Sequence, residues 1–173
     1  MARISVPDGP GGDAAMVWSL RPEMGKAVNR LSDAAYNKST LPVRVREAAR
    51  MRIAQLNQCV VCMGFRAESV QRQGLTEDFY EHVAEYHADD RYSPQERLAI
   101  EYAERFALDH TNIDERFFAR LREHFDDGEI LDLTVCLAAF LGLGRVLNVL
   151  GIEETCLVDV YAPSEGERGV PVS

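Results

Sequence analysis

Apolar positions recur at helical spacing along most of this chain. Between Ala14 and Tyr36, the residues Met16, Val17, Leu20, Met24, Ala27, Val28 and Leu31 form a stripe that Pro22 interrupts. Thr40 reads as the cap of a second helix, with Pro42 in its first turn and Val43, Glu47 and Met51 following, fading near Asn57. A third helix is predicted from Cys59 to Gln73, stopped by Gly74. Thr76 opens a short fourth through Tyr86. The clearest start is Ser93-Pro94-Gln95-Glu96: a capping serine, proline at the first helical position and a glutamate three residues on. Leu98, Ile100, Tyr102, Ala103 and Phe106 follow it. Another helix covers Asp114 to Phe125, and Asp127-Gly128 breaks the chain before a long apolar helix ending near Gly151. Only Thr155 to Tyr161 admits strand as readily as helix. The predicted class is all-α.

Residues 1–13 and 162–173 are rich in proline and glycine and read as an N-terminal arm and a C-terminal tail. They flank a single helical domain over 14–161. An apolar content of 46% with 27% charged residues suits a globular chain and excludes a disordered one. The net charge of −9 argues against nucleic acid or an anionic membrane as partner. Ile130 to Leu150 is long and strongly apolar, yet it carries Asp132, Arg145 and Asn148, so a buried or interface helix is expected instead of a membrane span. No secretory pattern opens the chain, and the expected compartment is the reducing cytoplasm. There a close cysteine pair is more often catalytic or metal-binding than structural.

That pair is Cys59-Val60-Val61-Cys62. Cysteines three apart can close a disulfide across one helical turn, which permits reversible two-electron chemistry. A helix beginning at Cys59 would turn its positive end toward that sulfur and favour the thiolate. Arg66, one turn beyond Cys62 on a continuing helix, would add a permanent positive charge. Two other readings stay open. Zinc would need two further ligands, and neither Cys136, Cys156, His82 nor His87 stands at a recognisable spacing. Alternatively the two cysteines simply pack, as Cys136 and Cys156 are expected to do. Glu47 reads as a surface carboxylate paired with Arg44 or Arg50. His82, His87, His110 and His124 read as surface residues, and Arg145 and Asn148 as polar groups that bond backbone or a neighbouring subunit.

The stretch from Glu47 through Asn57, Cys59 and Cys62 to Arg66 resembles the core of the alkylhydroperoxidase D-like, or carboxymuconolactone decarboxylase, superfamily. Ser93-Pro94 opening a helix, the run Leu121-Arg122-Glu123-His124-Phe125, and the apolar helix with Arg145 and Asn148 extend the resemblance over roughly residues 40 to 151. It implies an all-helical domain that assembles as a homo-oligomer, a trimer or hexamer. It further implies that Cys62 attacks a small hydroperoxide, Cys59 resolves the product as a disulfide, and Glu47 relays protons. An external dithiol or disulfide reductant protein would restore the pair, and no bound cofactor or metal is expected because sulfur carries the electrons. The family's histidine four residues after the second cysteine is here Arg66, and the histidine some members place between the cysteines is Val61. Arginine does not release its proton at working pH, so it can stabilise a thiolate but not relay a proton. Two alternatives accompany the peroxidase reading: a lactone or decarboxylation enzyme, as the family's other name suggests, and a non-catalytic helical oligomer. Helix-end electrostatics makes Cys59 the more acidic thiol, whereas the resemblance makes Cys62 the attacker.

Overall fold

The computed structural model describes residues 2–66 and 75–153, and among these there is no strand. The first stripe is split as Pro22 requires: α1 (Gly12–Met16) and a 3-10 turn (Val17–Leu20) precede α2 (Pro22–Asp33), which runs on as a π turn through Ala34–Lys38. Next come α3 (Val43–Leu56), α4 (Val60–Gly64) and α5 (Glu77–Glu81), the last followed by a 3-10 turn at Val83–Glu85. The second half comprises α6 (Pro94–Leu108), a 3-10 turn at His110–Asn112, α7 (Glu115–Arg122) and α8 (Asp127–Val149).

The helix starts with side-chain caps are the firmest elements. Ser93 Oγ accepts from the Glu96 amide at 3.2 Å while Glu96 returns a carboxylate to the Ser93 amide at 2.8 Å, the expected capping box. Asp126 and Glu129 form a second box at 2.8 and 3.0 Å. Asp127 and Gly128 therefore lie in the first turn of α8 and are not its break; Asp126, with its extended backbone, is where the chain turns. Thr40 does not cap α3. Pro42 takes the cap position without a side-chain bond, and Thr40 instead donates from its amide and hydroxyl to Asp132 on α8.

The main core lies between α3, α6, α7 and α8, where Val45, Ala49, Ile53, Leu98, Tyr102, Phe117, Leu121, Leu133 and Leu137 meet. A second cluster joins the other face of α3 to α5 through Ala48, Met51, Phe79, Tyr80 and Val83. α3 is thus buried on both sides, which explains why its pattern of apolar residues is weak and why Arg46, Glu47 and Arg50 are all at most 3% exposed. Polar bridges pin α3 to α6: Arg44 to Glu96 at 2.7 Å, and Arg52 to Glu104 at 2.6 Å, with Tyr86 donating to the same carboxylate at 2.9 Å. α8 is long and apolar enough to cross a membrane by length and composition; in the fold one face of it packs on α3 and α6. Its other face leaves Leu131, Val135, Val146 and Val149 exposed.

Candidate active site

α3 ends at Leu56 because Asn57 and Gln58 turn the chain sharply. Gln58 adopts φ 52°, a left-handed conformation that a non-glycine residue holds only when its surroundings fix it. α8 supplies that fixing. Asn148 donates to the carbonyls of Asn57 (2.6 Å) and Gln58 (3.1 Å), and Arg145 Nε donates to Asn57 Oδ1 at 3.1 Å. Asn57 in turn donates to Leu141 O at 3.1 Å. The corner delivers Cys59 to the cap position of α4, where its sulfur accepts from the Cys62 amide at 3.2 Å.

Cys59 and Cys62 are joined as a disulfide, with Cα atoms 5.2 Å apart. The two sulfurs are not equivalent. Cys59 is 2% exposed and packs with Ala14, Val17, Val61, Leu147 and Ile152. Cys62 is half-buried and lines a cavity of about 50 Å³ between α2, α3 and α8. α8 comes so close here that a Cβ on Gly144 would lie 2.7 Å from Asn57 Nδ2 and 3.4 Å from Cys62 Sγ.

α4 is short. The chain leaves the helix at Phe65, whose backbone is extended, so the predicted helix does not run on from Cys59 to Gln73; residues 67–74, with Gly74, lie outside the described residues. Arg66 is consequently not one helical turn beyond Cys62. Its guanidinium donates to Met63 O (2.6 Å) and Phe65 O (2.8 Å), pairs with Glu77 at 2.7 Å, and stacks 3.9 Å from the Tyr80 ring centroid. The hydrogen bonds of Arg66, followed by its charge, hold Glu77 below its usual pKa against the opposing effect of burial.

Glu47 is 1% exposed and pairs with Arg50, not Arg44. Arg50 is the hub of the site: it donates to Glu47 Oε2 at 2.9 Å, to Cys62 O at 2.8 Å and to Phe65 O at 3.3 Å. Burial opposes its charge, but the charge and hydrogen bond of Glu47, helped by the Tyr36 and Tyr80 phenol groups, outweigh burial and raise its pKa. Tyr80 donates to Glu47 Oε2 at 3.1 Å, and burial followed by the nearby carboxylate keeps its hydroxyl protonated well above the usual range. Glu47 Oε1 has no hydrogen-bond partner among the described residues. The structure thus gathers Glu47, Cys62 and Arg66 around Arg50 and Tyr80, two residues that motif spacing does not single out.

Elsewhere, His87, His110 and His124 are exposed, and His82 is half-buried beside Asp78 and Arg91. Among the described residues no group of three or more His, Cys, Asp or Glu side chains converges as a metal site. Cys136 is a buried free thiol, and Cys156, like Thr155 to Tyr161, falls outside the described residues.

An all-α domain that presents a cysteine pair at the start of a short helix, backed by a buried Glu–Arg–Tyr cluster, defines a helical dithiol protein. The family model of the carboxymuconolactone decarboxylase family matches residues 22–105, from α2 through most of α6. A Bacillus subtilis protein, the uncharacterized YdfG, is 25% identical over 115 residues, 66% of this chain and 78% of the relative. Two solved structures share the fold. One is ATU0492 from Agrobacterium tumefaciens, a protein of unknown function suggested to be the antioxidant defence protein AhpD, with TM-score 0.70 at 23% identity over 88% of this chain and 97% of that one. The other is an uncharacterized peroxidase-related protein with an AhpD core from Ralstonia eutropha, with TM-score 0.67 at 22% identity over 86% and 80%. The chain is thus similar to the carboxymuconolactone decarboxylase family over residues 22–105, just under half of its length, and shares its fold with these two solved structures.

Proposed function

We propose that this chain is a thiol-dependent peroxidase that reduces small hydroperoxides through Cys62 and Cys59. The observation that carries the reading is the asymmetry of the joined pair: Cys62 faces a cavity, whereas Cys59 is buried beneath it. The Cys62 thiolate attacks the terminal oxygen of the hydroperoxide. The O–O bond breaks, sulfenic acid forms on Cys62, and the departing alkoxide takes a proton and leaves as the alcohol. The Cys59 thiol then attacks the Cys62 sulfur; the S–S bond forms and hydroxide leaves with the Cys59 proton as water. A dithiol protein reduces the disulfide and becomes a disulfide itself.

Glu47 carries protons in this scheme. Its Oε2 is held by Arg50 and Tyr80, leaving Oε1 to accept and release. Arg50 links that carboxylate to the Cys62 backbone, and Arg66 acts at one remove by holding Tyr80. The protein works in the cytoplasm as a homo-oligomer in which a second copy covers the exposed face of α8. Lactone or decarboxylation chemistry is the less favoured reading, since it gives the joined cysteine pair no task.

The test is to treat fully reduced protein with one equivalent of an organic hydroperoxide and follow the products by intact mass and peptide mapping. A Cys59–Cys62 disulfide in the parent, with sulfenic acid trapped at Cys62 in Cys59→Ser, is the expected result. Thiols that stay reduced toward both peroxide and a disulfide donor would sink the reading.

A further inference from the structure

The cavity beside Cys62 has mostly apolar walls, among them Ala35, Ala54, Ala139, Phe140 and Leu143. Its volume of about 50 Å³ is well below the roughly 150 Å³ that admits benzene in an engineered protein cavity. The enclosed space therefore holds a head group and a few carbons, not an extended chain.

Two polar side chains besides the cysteine stand out in this wall. Arg50 is already committed, to Glu47 and to the carbonyls of Cys62 and Phe65. Ser32, on the last full turns of α2, is not. It is 2% exposed, and its Oγ finds no hydrogen-bond partner among the described residues. A serine in a helix interior ordinarily bonds the carbonyl one turn back or turns to solvent, and burial of an unpartnered hydroxyl is costly. Alanine, the residue at three neighbouring wall positions, would fill the same space without that cost.

We propose that Ser32 is a substrate-positioning residue: its hydroxyl takes up the oxygen head of a compact, apolar-bodied substrate seated in this cavity beside Cys62. The inference rests on the peroxidase reading for the identity of that substrate, a short-chain alkyl hydroperoxide. It does not depend on turnover for the existence of the site. With its skeleton against the alanine and aromatic walls and one oxygen on Ser32, such a molecule has its O–O bond held at the sulfur instead of tumbling past it.

Two measurements on the full chain decide it, both read through the single tryptophan, Trp18, which lines the cavity. In the first, reduced protein is oxidised by increasing ethyl hydroperoxide in stopped flow. Ser32→Ala is expected to raise the half-saturating concentration about five-fold, the factor lost with one neutral hydrogen bond, with a smaller effect on the maximal rate. Ser32→Thr, which keeps the hydroxyl, should recover part of the loss. In the second, the oxidised protein is titrated with ethanol, which has the same skeleton and one oxygen but nothing to reduce. Saturable binding weakened by a similar factor in Ser32→Ala supports the site, even if no hydroperoxide is consumed and the peroxidase reading fails. Alcohol affinity unchanged by Ser32→Ala, or no saturable binding to the parent protein, overturns the proposal whatever the turnover.

Discussion

Gly144 is the residue whose lack of a side chain matters most to the site. An alanine there drives a methyl group into Asn57 and against the Cys62 sulfur, and overpacking of that kind costs about 1–3 kcal/mol. Gly144→Ala is therefore expected to lower the denaturation midpoint and to slow disulfide closure, because the corner carrying Cys59 must shift; chemical denaturation and a thiol-oxidation time course check both. Cys136 gives the opposite case, a cysteine buried away from the joined pair. Burial, then the charge and hydrogen bond of Asp132, push its thiol up to about 12. With the folded value raised, the native state holds its proton longer than the unfolded chain, so stability is lost as pH rises above about 9. Alkylation of native reduced protein at pH 8 should accordingly spare Cys136, and Cys136→Ala should flatten the alkaline fall in stability. Spacing alone makes Cys59 and Cys62 legible in the sequence, and Glu47 becomes legible only through the family resemblance. Arg50 is legible only as a possible surface partner of Glu47, because burial on both sides of α3 removes the periodicity that marks an inward face, and Tyr80 is not legible at all, since it reaches Glu47 across 33 positions of chain.

Among the elements, capped starts are legible and uncapped ends are not. The Ser93 box stands in the sequence as a pattern of side-chain chemistry with fixed spacing, and the structure forms it. The Asp126 box obeys the same rule one residue earlier than the Asp-Gly turn signal suggests. Asp126→Ala removes the acceptor for the Glu129 amide and is expected to cost about 1 kcal/mol by thermal or chemical denaturation. The end of α4 has no such signature: Phe65 turns extended while Arg50 donates to its carbonyl and Arg66 folds back over Tyr80. These contacts come from α3 and α5, so no local pattern records them. The corner at Asn57 and Gln58 is similar, since its left-handed residue is imposed by Arg145 and Asn148 from the far end of α8.

For the molecule as a whole, the all-α class follows from hydrophobic spacing, while the way the parts are tied does not. α7 is clamped to α6 by Arg120 on Glu101, joined by Arg105 from within α6. Burial would raise the Glu101 pKa, but these two arginines hold it below the usual carboxylate range. A depressed folded value means the stabilisation is present above the ordinary pKa of about 4.5 and is lost as pH falls through the lower folded value. Glu101→Gln should reduce stability near neutral pH and shrink its decline in acid, as measured by denaturation at a series of pH values. The exposed face of α8 makes the matching prediction for assembly. Leu131→Glu or Val135→Glu should lower the solution mass seen by light scattering while leaving helix content intact, and an unchanged mass would place any self-contact elsewhere.

The N-terminal arm is held against the far end of α8, where Arg3 donates from its amide to Leu150 O at 2.8 Å and from its side chain to Val149 O at 2.9 Å. Ala2 and Val6 add to the cluster that encloses Cys59. The disulfide is therefore insulated on one side by ten or so residues that belong to no helix. Trimming them with a protease would leave the helical frame in place yet open a rear approach to Cys59, through which a small thiol would reach the second sulfur. A clipped protein should exchange disulfides with small thiols indiscriminately, whereas the intact one answers only to a reductant that approaches from the cavity side.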